Sequence, residues 1–178
     1  MVRARAWGRI NRKGLRVIVI SNSDPGQSCH TTHTMNDQFW KSKPLDKMTS
    51  AEWELICDGC ALCCMNKIED TDTGEIFYTN TACQLLDPAS CRCSDYANRA
   101  RKVADCLQLT AASIESYNWL PRSCAYRRLA NGEGLADWHP LVSGRSESVH
   151  EAGISMLGQL VPDDGHEDFN VFQLLESG

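Results

Sequence analysis

No apolar run in the 178 residues approaches the roughly 20 needed to cross a bilayer. The one candidate for a secretory signal core, Val17-Ile18-Val19-Ile20, falls short of the roughly 7–15 residues such a core needs. Export and membrane association are therefore not expected. The chain also lacks a G-x-S-x-G elbow, a phosphate loop, a dinucleotide fingerprint and a Ser/His/Asp grouping. No residue is assigned a catalytic role, and the reading leans away from an enzyme. No internal repeat is visible. Basic charge is scarce in most of the chain: residues 35–178 hold 12 basic and 22 acidic side chains, a net −10. Such a surface argues against nucleic acid as a partner. The other six basic residues (Arg3, Arg5, Arg9, Arg12, Lys13 and Arg16) stand in residues 1–34 against Asp24 alone, a net +5.

Cysteine, by contrast, is abundant and clustered. Of the ten, nine fall between positions 57 and 124: Cys57, Cys60, Cys63, Cys64, Cys83, Cys91, Cys93, Cys106 and Cys124. Without export, a reducing cytosol keeps thiols free, so metal binding is the leading reading rather than a disulfide scaffold. The pattern is C-x2-C-x2-C-C-x18-C-x7-C-x-C-x12-C-x17-C. Thiolates are soft ligands, and spacings of two let the backbone wrap one metal with several sulfurs. A tetrahedral zinc site takes four sulfurs at roughly 2.3 Å. A cubane iron–sulfur cluster also takes four, and C-x2-C-x2-C is a run that supplies three of them. All nine clustered cysteines are candidate metal ligands, and the metal, zinc or iron, stays open between those chemistries.

Cys57, Cys60 and Cys63 share one short segment and can converge only if the chain coils tightly through Asp58–Leu62. Adjacent side chains diverge, so Cys64 is expected to point away from Cys63, toward another centre, a bridge or no metal. The fourth ligand then comes from Cys83, Cys91, Cys93, Cys106 or Cys124. Cys91 and Cys93, two apart in an extended segment, would face the same side. Cys106 also reads as core packing, and Cys29 as a bystander. Lys67, Arg92, Arg99, Arg101, Lys102, Arg122, Arg127 and Arg128 lie near cysteines in sequence. They either offset thiolate charge or form an ordinary solvated face. His139 and His150 are expected to be structural or exposed rather than ligands. Trp40, Trp53, Trp119 and Trp138 are expected in the core.

The chain divides into a basic extension (1–34), a folded body (35–161) and an acidic tail (162–178). The extension reads as a disordered arm, a targeting peptide or sequence upstream of a native start at Met35. Within the body, Thr49 and Glu52 form a capping-box pattern that predicts a helix over Ser50–Ile56. Lys67–Glu69 and Glu75–Tyr78 flank Asp72-Thr73-Gly74 as a hairpin, with Gly74 supplying the left-handed residue. Helices are expected near Asp95–Ala104, Thr110–Tyr117 and Arg122–Ala130, the last stopped by Asn131-Gly132. A strand or extended segment is expected at Ile154–Val161. The tail is expected to be mobile, with one helical turn near Phe169–Leu175.

Cys57-Asp58-Gly59-Cys60-Ala61-Leu62-Cys63-Cys64 resembles the signature of the CxxCxxCC family of zinc- or iron-chelating proteins. More narrowly it resembles the bacterial YcgN-type cysteine-cluster proteins, the UPF0260 group. The likeness continues through Asp72-Thr73-Gly74-Glu75-Ile76, Cys91-Arg92-Cys93, Trp119-Leu120-Pro121, Cys124-Ala125-Tyr126-Arg127, Trp138-His139-Pro140-Leu141 and Val149-His150-Glu151-Ala152-Gly153-Ile154-Ser155. Ala61 departs from it, since many relatives carry glycine there. The resemblance implies a cytoplasmic bacterial protein and makes residues 1–34 foreign to the family. A distant branch includes flagellin lysine methylases, where the cluster accompanies an enzyme.

The expected fold is α+β: a small, loop-rich, metal-stabilised single domain with short helices and a hairpin. The expected function is that of a cytoplasmic metalloprotein binding zinc or iron. Its alternatives are an iron–sulfur enzyme of redox or methyl-transfer chemistry and a metal-dependent protein-interaction module. The expected partner is the metal ion, with neither nucleic acid nor membrane.

Overall fold

The structure, a computed structural model, describes residues 4–7, 15–18, 38–104, 106, 108–162 and 171–174. Its strands are β1 (Ala4–Trp7), β2 (Leu15–Ile18), β3 (Met65–Asp70), β4 (Ile76–Ala82), β5 (Leu86–Asp87), β6 (Arg92–Cys93), β7 (Val161–Pro162) and β8 (Val171–Leu174). The α-helical elements are α1 (Phe39–Ser42), α2 (Ser50–Leu55), α3 (Arg99–Lys102), α4 (Ala125–Ala130), α5 (Pro140–Ser143) and α6 (Ser148–Glu151). Short helices, a small sheet and long turns make this an α+β domain.

The hairpin β3–β4 forms where the turn chemistry places it. Asp70 Oδ1 accepts from the backbone N–H groups of Asp72 at 2.9 Å and Thr73 at 3.0 Å. Gly74 takes the left-handed conformation at φ +70°, which glycine adopts without steric cost. The register sets Lys67 opposite Tyr78 and Ile68 opposite Phe77, with an irregularity between Met65 and Lys67. The sheet order is β1-β8-β4-β3-β2, antiparallel throughout, and β7 joins β4 in parallel at Thr81 and Ala82. Two stretches of the N-terminal extension therefore take part in the sheet. Met35, Cys29, His30, His33 and His166 lie outside the described residues.

The capping box closes in both directions: Thr49 Oγ1 accepts from Glu52 N, and the Glu52 carboxylate accepts from Thr49 N at 2.7 Å. The helix ahead of Asn131-Gly132 starts at Ala125 rather than Arg122, because Pro121–Cys124 forms a turn first. The helical stretch expected at Asp95–Ala104 is a 3₁₀ turn, Tyr96–Asn98, leading into α3, whereas Ile114–Ser116 is a 3₁₀ turn rather than a full helix. Residues 154–160 are mostly turn, and only Val161–Pro162 is strand. Val171–Leu174 is strand rather than a helical turn, because its backbone pairs with β1 and β4.

Two apolar clusters form the core. One gathers Leu62, Met65, Tyr78, Ala82, Leu86, Val149 and Met156 around Cys60, Cys64 and Cys91. The other gathers Phe39, Ile56, Leu109, Ile114, Leu120 and Tyr126 around Cys124. Cys63 packs against both. Trp138 lies against the first cluster, and Trp40, Trp53 and Trp119 lie against the second. The cysteine segment is thus the seam between two cores.

Candidate metal centre

Residues 57–64 coil tightly, as three convergent cysteines require. Two left-handed residues turn the chain, Gly59 at φ +78° and Ala61 at φ +64°. A 3₁₀ turn over Leu62–Cys64 follows, with Cys64 N donating to Ala61 O at 2.9 Å. An alanine in this region costs roughly 1–2 kcal/mol relative to glycine, so Ala61 is held there by its surroundings.

Those surroundings are backbone anchors from distant elements. His139 is fully buried, at 0% exposure; its Nε2 bonds Ile56 O at 2.9 Å and its Nδ1 accepts from Leu141 N at 3.1 Å. Burial holds the imidazole below its ordinary pKa, which keeps the ring neutral with Nε2 as the donor. His139 is structural, as expected. Met156 N donates to Cys60 O at 3.0 Å. Lys67, only 1% exposed, donates to Leu62 O at 3.4 Å, Cys63 O at 3.0 Å and Met65 O at 2.9 Å. Its ammonium also lies 4.9 Å from the Tyr78 ring centroid and 4.7 Å from that of Trp119. Desolvation lowers the Lys67 pKa to about 8, and the charges of Cys63, Cys64 and Cys60 oppose that shift.

The loop borders a cavity of about 90 Å³ lined by Cys57, Cys60, Cys63, Cys64, Cys91, Cys93 and Cys124, with Asp58 and Arg92. A water needs only about 10–15 Å³ by this measure, so the cavity has room for an ion. Cys124, far along the chain, is brought in at the N-terminal end of α4. Cys63 is the electrostatic hub: its charge opposes ionisation of Cys57, Cys60 and Cys124. Burial is the larger cause in each case, and Cys57 is pushed up to about 12. Cys83 and Cys106 do not line the cavity; they stand near Cys93, whose thiol is raised by burial and by both of their charges.

Two expectations about side-chain direction are corrected. Cys63 and Cys64 do not diverge: their sulfurs are 3.8 Å apart. Two ligands 2.3 Å from a tetrahedral ion are themselves separated by about 3.8 Å, so the pair stands at ligand spacing. Cys91 is not extended, having φ +53°; it stands in the turn before β6, whose second residue is Cys93, and both line the cavity. The basic residues near the cysteines divide into two groups. Lys67 is buried beside the cluster, and Arg92 lies over Gly59 and partly offsets the rise in the Cys57 pKa. Lys102 and Arg128 instead pair with Asp95 and Glu133.

Among the described residues no three Cys, His, Asp or Glu side chains already stand at the spacing of a finished metal site. The donors surround the cavity without closing on a point. Their chemistry nonetheless fits a soft cation. An orphaned group at the site would also accept a cation: Asp58 is 4% exposed, and its Oδ2 has no hydrogen-bond partner. Asp58 was not foreseen as part of the site. The signal available was its place inside the cysteine run, where an exposed loop carboxylate would look the same.

Comparison with known proteins bears on this cluster. A family model described as "Putative zinc- or iron-chelating domain", named CxxCxxCC, matches residues 56–125. A UPF0260 protein of Sinorhizobium fredii is 54% identical over 145 residues, covering 79% of this chain and 94% of its own length. The chain belongs to the UPF0260 family. Another UPF0260 protein, of Rhizobium meliloti, is 53% identical with the same coverage. One from Gluconacetobacter diazotrophicus is 57% identical over 125 residues, 70% of this chain and 78% of that protein. No solved structure matches the chain. The matched region of the CxxCxxCC model runs from Ile56, whose carbonyl His139 anchors, to Ala125 beside Cys124. It contains all nine clustered cysteines. Among the described residues no helix is long and apolar enough to cross a membrane.

Proposed function

We propose that this UPF0260 protein is a cytoplasmic metalloprotein that binds zinc or iron, with Cys57, Cys60, Cys63 and Cys124 as one centre. The observation that carries the reading is the cavity between the two cores. Three cysteines of one coiled segment and a fourth from the start of α4 line it together. Bound there, the ion would supply positive charge that lets buried thiols ionise, and it would tie residues 57–64 to α4. Lys67 and Arg92 add positive charge beside the thiolates. Seven cysteines line the cavity, more than the four one tetrahedral ion takes. That surplus supports a second ion or an iron–sulfur cluster drawing on Cys64, Cys91 and Cys93. The acidic body gives no basis for a nucleic-acid partner.

Anaerobic purification followed by elemental analysis and a visible spectrum tests this. Zinc in a colourless protein, or iron in a brown one, supports the reading. Cys60→Ser and Cys63→Ser should lower bound metal per chain and the melting temperature. Full occupancy and unchanged melting in both variants would reduce the cluster to ordinary thiols.

A further inference from the structure

Asp58 lies inside the cysteine loop and is nearly inaccessible, at 4% exposure. Its Oδ1 accepts from Cys60 N at 2.9 Å, which fixes the carboxylate's orientation. Asp58 lines the cavity, and its Oδ2 is buried without any hydrogen-bond partner. A buried carboxylate oxygen left unpaired is costly, and proteins pair such groups or place them on metals. The donors around the cysteine loop are committed elsewhere. An ammonium has three protons, and those of Lys67 are directed at the carbonyls of Leu62, Cys63 and Met65. Both ring nitrogens of His139 are engaged by Ile56 and Leu141. The Arg92 guanidinium lies against Gly59 and makes no hydrogen bond to Oδ2. What remains for Oδ2 is the cavity.

We propose that Asp58 is itself a metal ligand, its Oδ2 supplying an oxygen to the ion that the surrounding cysteines bind. This rests on the metal-binding reading above and turns its four-sulfur centre into one of three sulfurs and one oxygen, since a tetrahedral ion takes four ligands. The charge of Asp58 is felt at Cys57, Cys60 and Cys124, which places it among the proposed sulfur donors rather than beside one of them. A carboxylate hardens the donor set, favouring zinc or iron(II) over copper(I), which thiolates alone accept readily.

Asp58→Asn keeps the size and an oxygen for Cys60 N–H while removing the charge. Zinc affinity is measured by competition with a chromophoric chelator, and the first coordination shell of the zinc-loaded wild type by X-ray absorption. The expected results are at least tenfold weaker zinc binding in Asp58→Asn, and an oxygen at about 2.0–2.2 Å beside sulfurs at about 2.3 Å in the wild type. In metal-free protein the variant should melt at the same or a higher temperature, because an unpaired buried charge has gone. Equal affinity, a sulfur-only shell, or lower metal-free stability would each overturn the assignment; the last would make Asp58 merely a brace for Cys60. If Asp58→Asn does not fold, Asp58→Ser carries the affinity comparison. Failure of the wild type to bind zinc or iron at all would instead sink the metal-binding reading.

Discussion

Replacing Lys67 with methionine tests whether the ammonium braces the cysteine loop. Methionine has similar length and no polar head. The change removes two hydrogen bonds of 2.9 and 3.0 Å and a longer one of 3.4 Å. Hydrogen bonds to a charged group contribute about 1.5–3 kcal/mol each, and buried acceptors left empty add a penalty. Counting the long bond as half, the loss is about 4–7 kcal/mol. Two cation–π contacts, to Tyr78 and Trp119, add roughly 1 kcal/mol each.

Against this stands the net cost of burying the ammonium, its desolvation less the attraction of the Cys63, Cys64 and Cys60 charges. Its pKa falls from 10.5 to about 8, which corresponds to about 3 kcal/mol recovered when the charge is removed. The hydrogen bonds win. Lys67→Met should be destabilised by roughly 3–6 kcal/mol, a fall in Tm of about 6–24 °C for a chain of this size. Urea unfolding of both proteins with matched metal content measures it. A variant as stable as the wild type would mean that water or another donor satisfies the three carbonyls, and the bracing role would be lost.

Gly59→Ala should cost about 1–2 kcal/mol from its φ of +78° alone. Its added Cβ would also sit 2.8 Å from Arg92 Cζ, so the guanidinium must move; thermal melting beside the wild type checks both effects, and an unchanged Tm would refute them. Glu52 is held at about 2, chiefly by the Lys43 ammonium and then by the Thr49 backbone N–H. Because its folded pKa is depressed, its contribution is present above the unfolded value of 4.5 and is lost as pH falls toward 2. Urea midpoints between those pH values should therefore slope less in Glu52→Gln than in the wild type, and parallel slopes would remove Glu52 from the acid response.

The parts of the fold that could be read from sequence are those whose causes are local. Thr49 and Glu52 cap a helix because partners three residues apart suffice. Asp70 and Gly74 close the hairpin for the same reason. Lys67 could not be placed, since a lysine beside Ile68 in a strand looks like a solvent-facing residue. Its burial depends on carbonyls of the preceding turn and on a ring from Trp119. β1 and β8 pair with each other across almost the whole chain, and four residues are too few for alternation to reveal them. The divergence rule failed at Cys63 and Cys64 because it suits strands, where successive side chains turn by half a revolution. A 3₁₀ turn rotates them by about a third, and rotamer choice then closes the gap.

The same distinction determines what cysteine substitutions can report. The path of residues 57–64 is held through backbone atoms: Ile56 O by His139, Cys60 O by Met156 N–H, Cys60 N by Asp58, and the Leu62 and Cys63 carbonyls by Lys67. None of these contacts uses a sulfur. A serine at position 60 or 63 therefore leaves the loop's anchors in place, and lost metal in those variants reflects a lost ligand rather than a displaced loop. Gly59→Ala and Lys67→Met do the reverse, disturbing the path while every thiol remains. If metal content falls in the serine variants with only a modest drop in metal-free stability, the anchors, and not the ion, set the geometry of the site. The ion would then enter a loop already coiled to receive it, needing side-chain rotation but little backbone ordering.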